Sequence, residues 1–175
     1  KNLFSMLREK KRRVTFANAY FVAQSTDIHL IRHKSVTTLM TWHALGRLRT
    51  VSDLLQNDAC YQDLTREMLR ERQYTGPLVS PETSAEHLFR LAMLHDLTLF
   101  EFFLTDRAGH KMNRDYTMDV LGRLELFLQT LHRLNRLTMT PLTIVLTSDH
   151  GNIEAADHRH HTLNPVPFYC TGSQA

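Results

Sequence analysis

With 175 residues, 42% of them hydrophobic, the chain is long enough for one domain with a buried core and too apolar for a disordered segment. Two cysteines, Cys60 and Cys170, exclude a disulfide framework and read as reduced thiols of a cytoplasmic protein. The formal charge of +3 is modest, no apolar run approaches a membrane span, and the start, with neither an initiator Met nor a signal peptide, reads as processed or truncated.

Residues 3–10 predict a helix with Leu3, Phe4 and Leu7 on one face. Much of the positive charge follows in Arg8-Glu9-Lys10-Lys11-Arg12-Arg13. Such a run attracts phosphates, but it has no interleaved aromatics and no reading helix. It therefore predicts a solvated helix end before a buried strand over 13–19, and no nucleic-acid partner. A charge-neutralising anion substrate would use a focused pocket, and net charge does not report one. Residues 20–33 have no clean period and read as irregular. Residues 36–48 are helix-compatible. The stretch 50–79 is the least legible, with a helix expected around 61–72 and a turn at Tyr74-Thr75-Gly76-Pro77.

The remainder is clearer. Ser80 caps a helix, Pro81 suits its first position and Glu82 suits its dipole. Ala85, Leu88, Phe89 and Ala92 form its apolar face, and His95-Asp96 ends it. Residues 97–104, nearly continuously apolar and rich in aromatics, predict a buried strand. Residues 115–134 predict a long amphipathic helix, 142–147 a second buried strand, and 166–170 a short third one. Alternating helices and strands predict an α/β fold: a largely parallel sheet flanked by helices. Sites on such sheets lie beyond the carboxyl ends of the strands. Asp106 and Asp149 each follow a predicted strand, so both are expected at one sheet edge.

The candidate chemistry is concentrated in Thr105-Asp106-Arg107-Ala108-Gly109-His110, in Thr147-Ser148-Asp149-His150-Gly151-Asn152-Ile153-Glu154, and in the histidines His158, His160 and His161. Aspartate oxygens with imidazole nitrogens suit Zn²⁺, Mn²⁺ or Fe²⁺ better than the all-oxygen shell of Ca²⁺. Gly109 and Gly151 allow the backbone to approach an ion or anion closely. By composition any of His158, His160 and His161 could be the ligand. Asp106 could instead cap a turn, and His110 could be a surface residue. Glu154 could cap the following turn or hydrogen-bond within the site. His29, His33, His43, His87, His95 and His132 lack such a context, and His43, His87 and His132 read as partly solvated helix positions. Met112 and Met118 read as packing residues.

Ser148-Asp149-His150-Gly151-Asn152-Ile153-Glu154, followed by His161-Thr162-Leu163-Asn164-Pro165-Val166-Pro167, resembles the carboxyl-terminal signature of cofactor-independent phosphoglycerate mutases. Asp106 to His110 resembles the Asp-x-x-x-His motif that precedes it there. More broadly the chain is similar to metalloenzymes of the alkaline phosphatase superfamily, and Val14 to Tyr20 also resembles a smaller bacterial branch of metalloenzyme-domain proteins. The resemblance implies an alkaline-phosphatase-like core that lacks its amino-terminal strand. Residues 1–175 are then a single carboxyl-terminal portion of a metalloenzyme domain, with 80–172 its best-defined region.

The resemblance also implies a ligand set. Asp106, His110 and His161 match the ligands of one ion, and Asp149 and His150 match two ligands of a second. That second ion is completed in the family by an early Asp and a nucleophilic Ser or Thr, neither matched here. No catalytic nucleophile is therefore assigned, and the isolated chain is expected to be inactive. Two divalent ions, Mn²⁺ or Zn²⁺, are expected in the full-length protein, one of them weak in this chain. The implied activity is metal-dependent phosphoryl transfer on a small phosphorylated substrate, with phosphomonoester hydrolysis preferred to mutase action because the phosphoglycerate-holding insert is absent. A non-catalytic, metal-stabilised α/β module is the alternative. Uncovered strands predict self-association or pairing with an amino-terminal part, and no membrane partner is expected.

Overall fold

The Asn2 side chain accepts the Ser5 backbone N–H at 2.9 Å and so starts the first helix, α1 (Leu3–Glu9). A computed structural model describes residues 1–155 and 157–172. It is a mixed α/β chain with a small parallel sheet and helices, compatible with an alkaline-phosphatase-like fragment. The chain divides into two compact units, Lys1–Glu101 and Phe102–Ala175.

In the first unit the basic run at the end of α1 is exposed, and the strand after it, β1 (Val14–Phe16), is buried at every position. β1 pairs in parallel with β2 (Leu97–Leu99), Val14 opposite Leu97 and Phe16 opposite Leu99. Helix α2 (Val36–Leu45) starts on Ser35, whose hydroxyl accepts from the Thr38 N–H, and ends at Gly46 with φ 67°. Only glycine adopts that left-handed conformation without penalty, so the helix stops short of the expected residue 48. Phe4, Val14, Phe16 and Ala44 form one core cluster, against which Leu97 and Leu99 pack.

The illegible stretch 50–79 is held by side-chain-to-backbone bonds in place of periodic packing. Thr50 and Asp53 make a reciprocal capping box for α3 (Val51–Leu55). The expected helix over 61–72 is only a 3₁₀ segment, Glu67–Arg72. Leu64 and Arg66 have positive φ, which α-helix forbids. The buried Asp63 carboxylate accepts instead from the backbone N–H groups of Thr65, Arg66 and Met68 at 3.1, 2.7 and 2.8 Å. A second cluster, Ala19, Leu54, Ala59, Tyr61, Leu69 and Tyr74, covers this segment. Helix α4 (Pro81–Met93) begins on Ser80 with Pro81 at its first turn, as its sequence predicts. His87 in it is buried, not partly solvated, because it falls on the same face as Ser84, Leu88 and Leu91.

The strand expected over 97–104 is shorter than its apolar run. The apolar run 97–104 is a strand only to Leu99; Leu104 already begins helix α5 (Leu104–Lys111). Asp106 therefore lies in the first turn of a helix and not in a loop after a strand. Met112, at φ 51°, ends α5, and Asn113 starts α6 (Arg114–Leu137) by accepting from the Tyr116 N–H at 2.9 Å. α5 and α6 pack together, and Leu104, Ala108, Val120, Phe127 and Leu131 are buried in this unit. Near the end of α6 the buried Asn135 carboxamide donates to the Leu142 carbonyl at 2.8 Å and accepts its N–H at 2.7 Å. This reciprocal pair sets the start of β3 (Ile144–Thr147).

β3 pairs antiparallel with β4 (Phe168–Thr171), Ile144 opposite Thr171 and Thr147 opposite Phe168. β1 and β2 form one two-stranded sheet and β3 and β4 another, so β2 and β3 do not share a ladder among the described residues. β3 is half-exposed in alternation instead of buried. No helix among the described residues is long and apolar enough to cross a membrane.

Candidate metal centre

The Asp-x-x-x-His spacing acquires its meaning from α5. Residues four apart lie one above the other on one helix face. Asp106 Oδ1 and His110 Nε2 are accordingly 3.3 Å apart. A third group arrives from the loop before β4: His161 Nε2 lies 3.2 Å from Asp106 Oδ1 and 3.3 Å from His110 Nε2. His150, just past β3, stacks its ring on that of His161, with centroids 3.6 Å apart and planes at 17°. Ligand atoms of Asp106, His150 and His161 all lie within 4.8 Å of one another.

The fit to a cation follows from spacing and proton inventory. Around an ion with bonds of about 2.0–2.1 Å, tetrahedral ligands stand about 3.3 Å apart. The Asp106, His110 and His161 separations match that edge. His110 Nδ1 lies 2.7 Å from the Arg159 carbonyl oxygen, which can only accept. Nδ1 must therefore carry a proton, and in the neutral ring Nε2 turns its lone pair toward the carboxylate and the second imidazole. One proton on His161 Nε2 can satisfy a single contact at a time; a divalent ion satisfies all three. An outer carbonyl partner of this kind fixes metal-binding histidines in the required tautomer.

Two loops are tied together to hold this geometry. The Thr162 N–H donates to the Gly151 carbonyl at 2.8 Å, joining the residues next to His161 and His150. Glu154 anchors the same junction. Its carboxylate accepts from the Asn152 N–H at 2.7 Å, from Asn164 Nδ2 at 3.0 Å and from the Thr162 hydroxyl. The Thr162 hydrogen bond is the largest cause holding the Glu154 carboxyl down at about 2, followed by its own backbone and Asn164. Glu154, left open between a cap and a site partner, thus hydrogen-bonds within the loop. A Cβ at Gly151 would collide with Thr162 Oγ1 and Glu154 Oε1.

Asn152 is the residue that sequence reasoning passed over. It is buried, and its Nδ2 lies 3.0 Å from Asp106 Oδ1 and 3.3 Å from the Asp106 carbonyl. Its own Oδ1 is buried without a hydrogen-bond partner. Gly109 makes room for it, since a Cβ there would fall on the Asn152 carboxamide. The available signal was the pair of glycines beside candidate ligands.

Asp149 is not drawn in. Its side chain is 87% exposed, and its carboxylate is 3.6 Å from His150 Nε2. His158 and His160 contact each other, His158 Nδ1 accepting from the His160 N–H at 3.3 Å, and neither joins the Asp106 set. Of the three histidines that composition left open, His161 is the one whose ring nitrogen stands beside Asp106 and His110. His150, paired with Asp149 by resemblance, stands here beside His161.

The Metalloenzyme superfamily profile matches residues 73–175. The 2,3-bisphosphoglycerate-independent phosphoglycerate mutase of Mycoplasma genitalium is 33% identical over 102 residues, 55% of this chain and 20% of that protein. The mutase of the same description from Ehrlichia canis is 31% identical over 103 residues, 51% of this chain and 20% of its own length. That of Mycoplasma pneumoniae is 35% identical over 82 residues, 43% and 16% respectively. The chain thus spans a fifth or less of the curated relatives it matches. No solved structure matches it. The matched region contains every residue of the Asp106, His110, His150 and His161 group and covers more than half of the sequence, and the chain belongs to the Metalloenzyme superfamily.

Proposed function

We propose that this chain supplies the metal-holding part of a phosphoryl-transfer enzyme, with phosphomonoester hydrolysis as the preferred reaction. The observation that carries the reading is the meeting of Asp106 Oδ1, His110 Nε2 and His161 Nε2 at 3.2–3.3 Å. Three side chains would hold one divalent ion, Zn²⁺ or Mn²⁺, leaving an open position for a substrate oxygen or water. His150, with Asp149, would hold a second ion more weakly. Bound divalent ions in such a pair stabilise charge on the attacking and leaving oxygens of a phosphoryl group. Around them Asn152 orients Asp106, Arg159 orients His110, and Glu154 keeps the two loops joined. The free thiols Cys60 and Cys170 suit a cytoplasmic setting.

Similarity to proteins described as phosphoglycerate mutases favours a small phosphorylated substrate and makes mutase action in the full-length protein the second reading. The full-length protein should be assayed on p-nitrophenyl phosphate with Mn²⁺, with Zn²⁺ and after chelation. Metal-dependent phosphate release supports the hydrolase. Interconversion of 2- and 3-phosphoglycerate without release supports the mutase. Metal binding with no turnover on either would leave a metal-stabilised module and overturn the enzyme reading.

A further inference from the structure

The first unit holds a cavity of about 390 Å³ whose walls include Arg8, Arg12, Arg13, Arg47, Arg49 and His95. Among the described residues, none of the side chains lining it is acidic. Carboxylates meet these arginines from outside the lining: Asp96 lies 3.6 Å from Arg12 and 3.8 Å from Arg13, and Asp53 lies 2.9 Å from Arg47 and 3.8 Å from Arg49. Five guanidinium groups line the concavity, while Asp96, Asp53 and Asp58, the last also paired with Arg90, are the carboxylates acting on them, so positive charge is in excess there. Like charges gathered this closely repel one another, and low-dielectric walls focus their field.

Arg49 is built in, not merely exposed. Its side chain is only 15% exposed, and Nη2 and Nε donate to the buried Thr15 hydroxyl at 2.9 and 3.3 Å. It also donates to the Asp58 carbonyl, while the Asp58 carboxylate faces Arg90 at 3.5 Å. Burial is the largest influence on Arg49 and lowers its pKa, partly offset by the nearby Asp53 carboxylate; a bound anion would favour the charged guanidinium in the same way. Arg8 donates to the Ala44 carbonyl, which fixes it at the end of α2.

The arginines come from two chain segments, the end of α1 with the turn into β1, and residues 46–49 after α2. Guanidinium forks supplied by two separate segments can each engage a different oxygen, which suits a tetrahedral phosphate better than a planar carboxylate. The volume lies at the lower end for small-molecule sites. We propose that this cavity binds a small, soluble, phosphate-bearing molecule. The inference is independent of the metal centre, which lies wholly in the second unit.

Calorimetric titration of the chain with inorganic pyrophosphate, in chelator and at fixed ionic strength, tests it. Single-site saturation is expected. Arg13→Gln with Arg47→Gln removes two guanidinium groups, 68% and 57% exposed, whose surface ion pairs contribute little to folding. That double variant should keep its circular dichroism and lose at least about tenfold in affinity. Arg133→Gln with Arg136→Gln, on exposed α6 positions, should leave binding unchanged. Absence of saturation, or equal affinity in the Arg13/Arg47 variant, overturns the proposal. Citrate binding as tightly as pyrophosphate overturns the phosphate assignment. Sedimentation with phosphatidic acid–phosphatidylcholine vesicles, without pyrophosphate binding, overturns the soluble ligand in favour of a lipid headgroup.

Discussion

The Asn152 carboxamide nitrogen lies 3.0 Å from Asp106 Oδ1 although 46 residues separate the two along the chain. A buried donor thus fixes the direction of a candidate ligand. Asn152→Ala removes it and should weaken Zn²⁺ binding by about 10- to 100-fold, the usual cost of losing such a partner. Competition with a chromophoric chelator measures this. Unchanged affinity would reduce Asn152 to a packing residue.

Gly109 offers a separable test of the same contact. Alanine there would place its Cβ 2.5 Å from Asn152 Cγ. Alanine also favours helix by about 1 kcal/mol over glycine. Gly109→Ala should therefore lower metal affinity, while the helix gain offsets part of what the clash costs the metal-free chain in thermal midpoint. In an Asn152→Ala background it should cost little further affinity, because the clash has gone. Additive losses in the double variant would separate the two residues.

The ligand group predicts a metal count. Elemental analysis after dialysis should find close to one tightly held ion per chain. Asp106→Asn, His110→Ala or His161→Ala should each remove most of it. Asp149→Asn should not, since its side chain is exposed and outside the closest set. Two equally tight ions would require ligands beyond these, with His158 and His160 the nearest by sequence.

His87 gives the first unit a pH dependence. Burial, the largest cause, lowers its pKa from 6.5, and Arg66 and Arg90 act in the same direction. The unfolded chain then binds this proton more readily than the folded chain. Stability is retained above about 6.5 and falls as pH drops through that value toward the depressed folded pKa. His87→Gln should flatten this part of a urea-denaturation profile between pH 7 and 5. A variant with the same slope as the parent would assign the effect elsewhere.

How far the sequence was legible depended on what holds each element. α4 and α6 carry their own caps, Ser80 and Asn113, and an apolar face at helical period, so local and tertiary signals agree. The run from Leu97 to Leu104 misled because continuous apolarity does not separate a buried strand from the entry of a helix. The i, i+4 spacing of Asp106 and His110 was the clue to α5. Residues 50–79 were opaque because Asp63 organises them through backbone N–H groups, a device without a period. The antiparallel turn of β4 depends on the long loop carrying His161, whose path no local pattern states. Asn152 escaped notice because a single buried amide gives no pattern at all.

His161 Nε2 stands 3.2 Å from Asp106 Oδ1 across 55 residues of sequence. An ion gripped by both would be a reversible cross-link closing that loop. Closing one of this length covalently removes chain entropy from the unfolded state equivalent to about 4 kcal/mol. β3, paired with β4 alone among the described residues, is a thin sheet with little reserve of its own. The persistence of the second unit's fold would then track the supply of free cation, and metal starvation would reach the architecture as well as the chemistry.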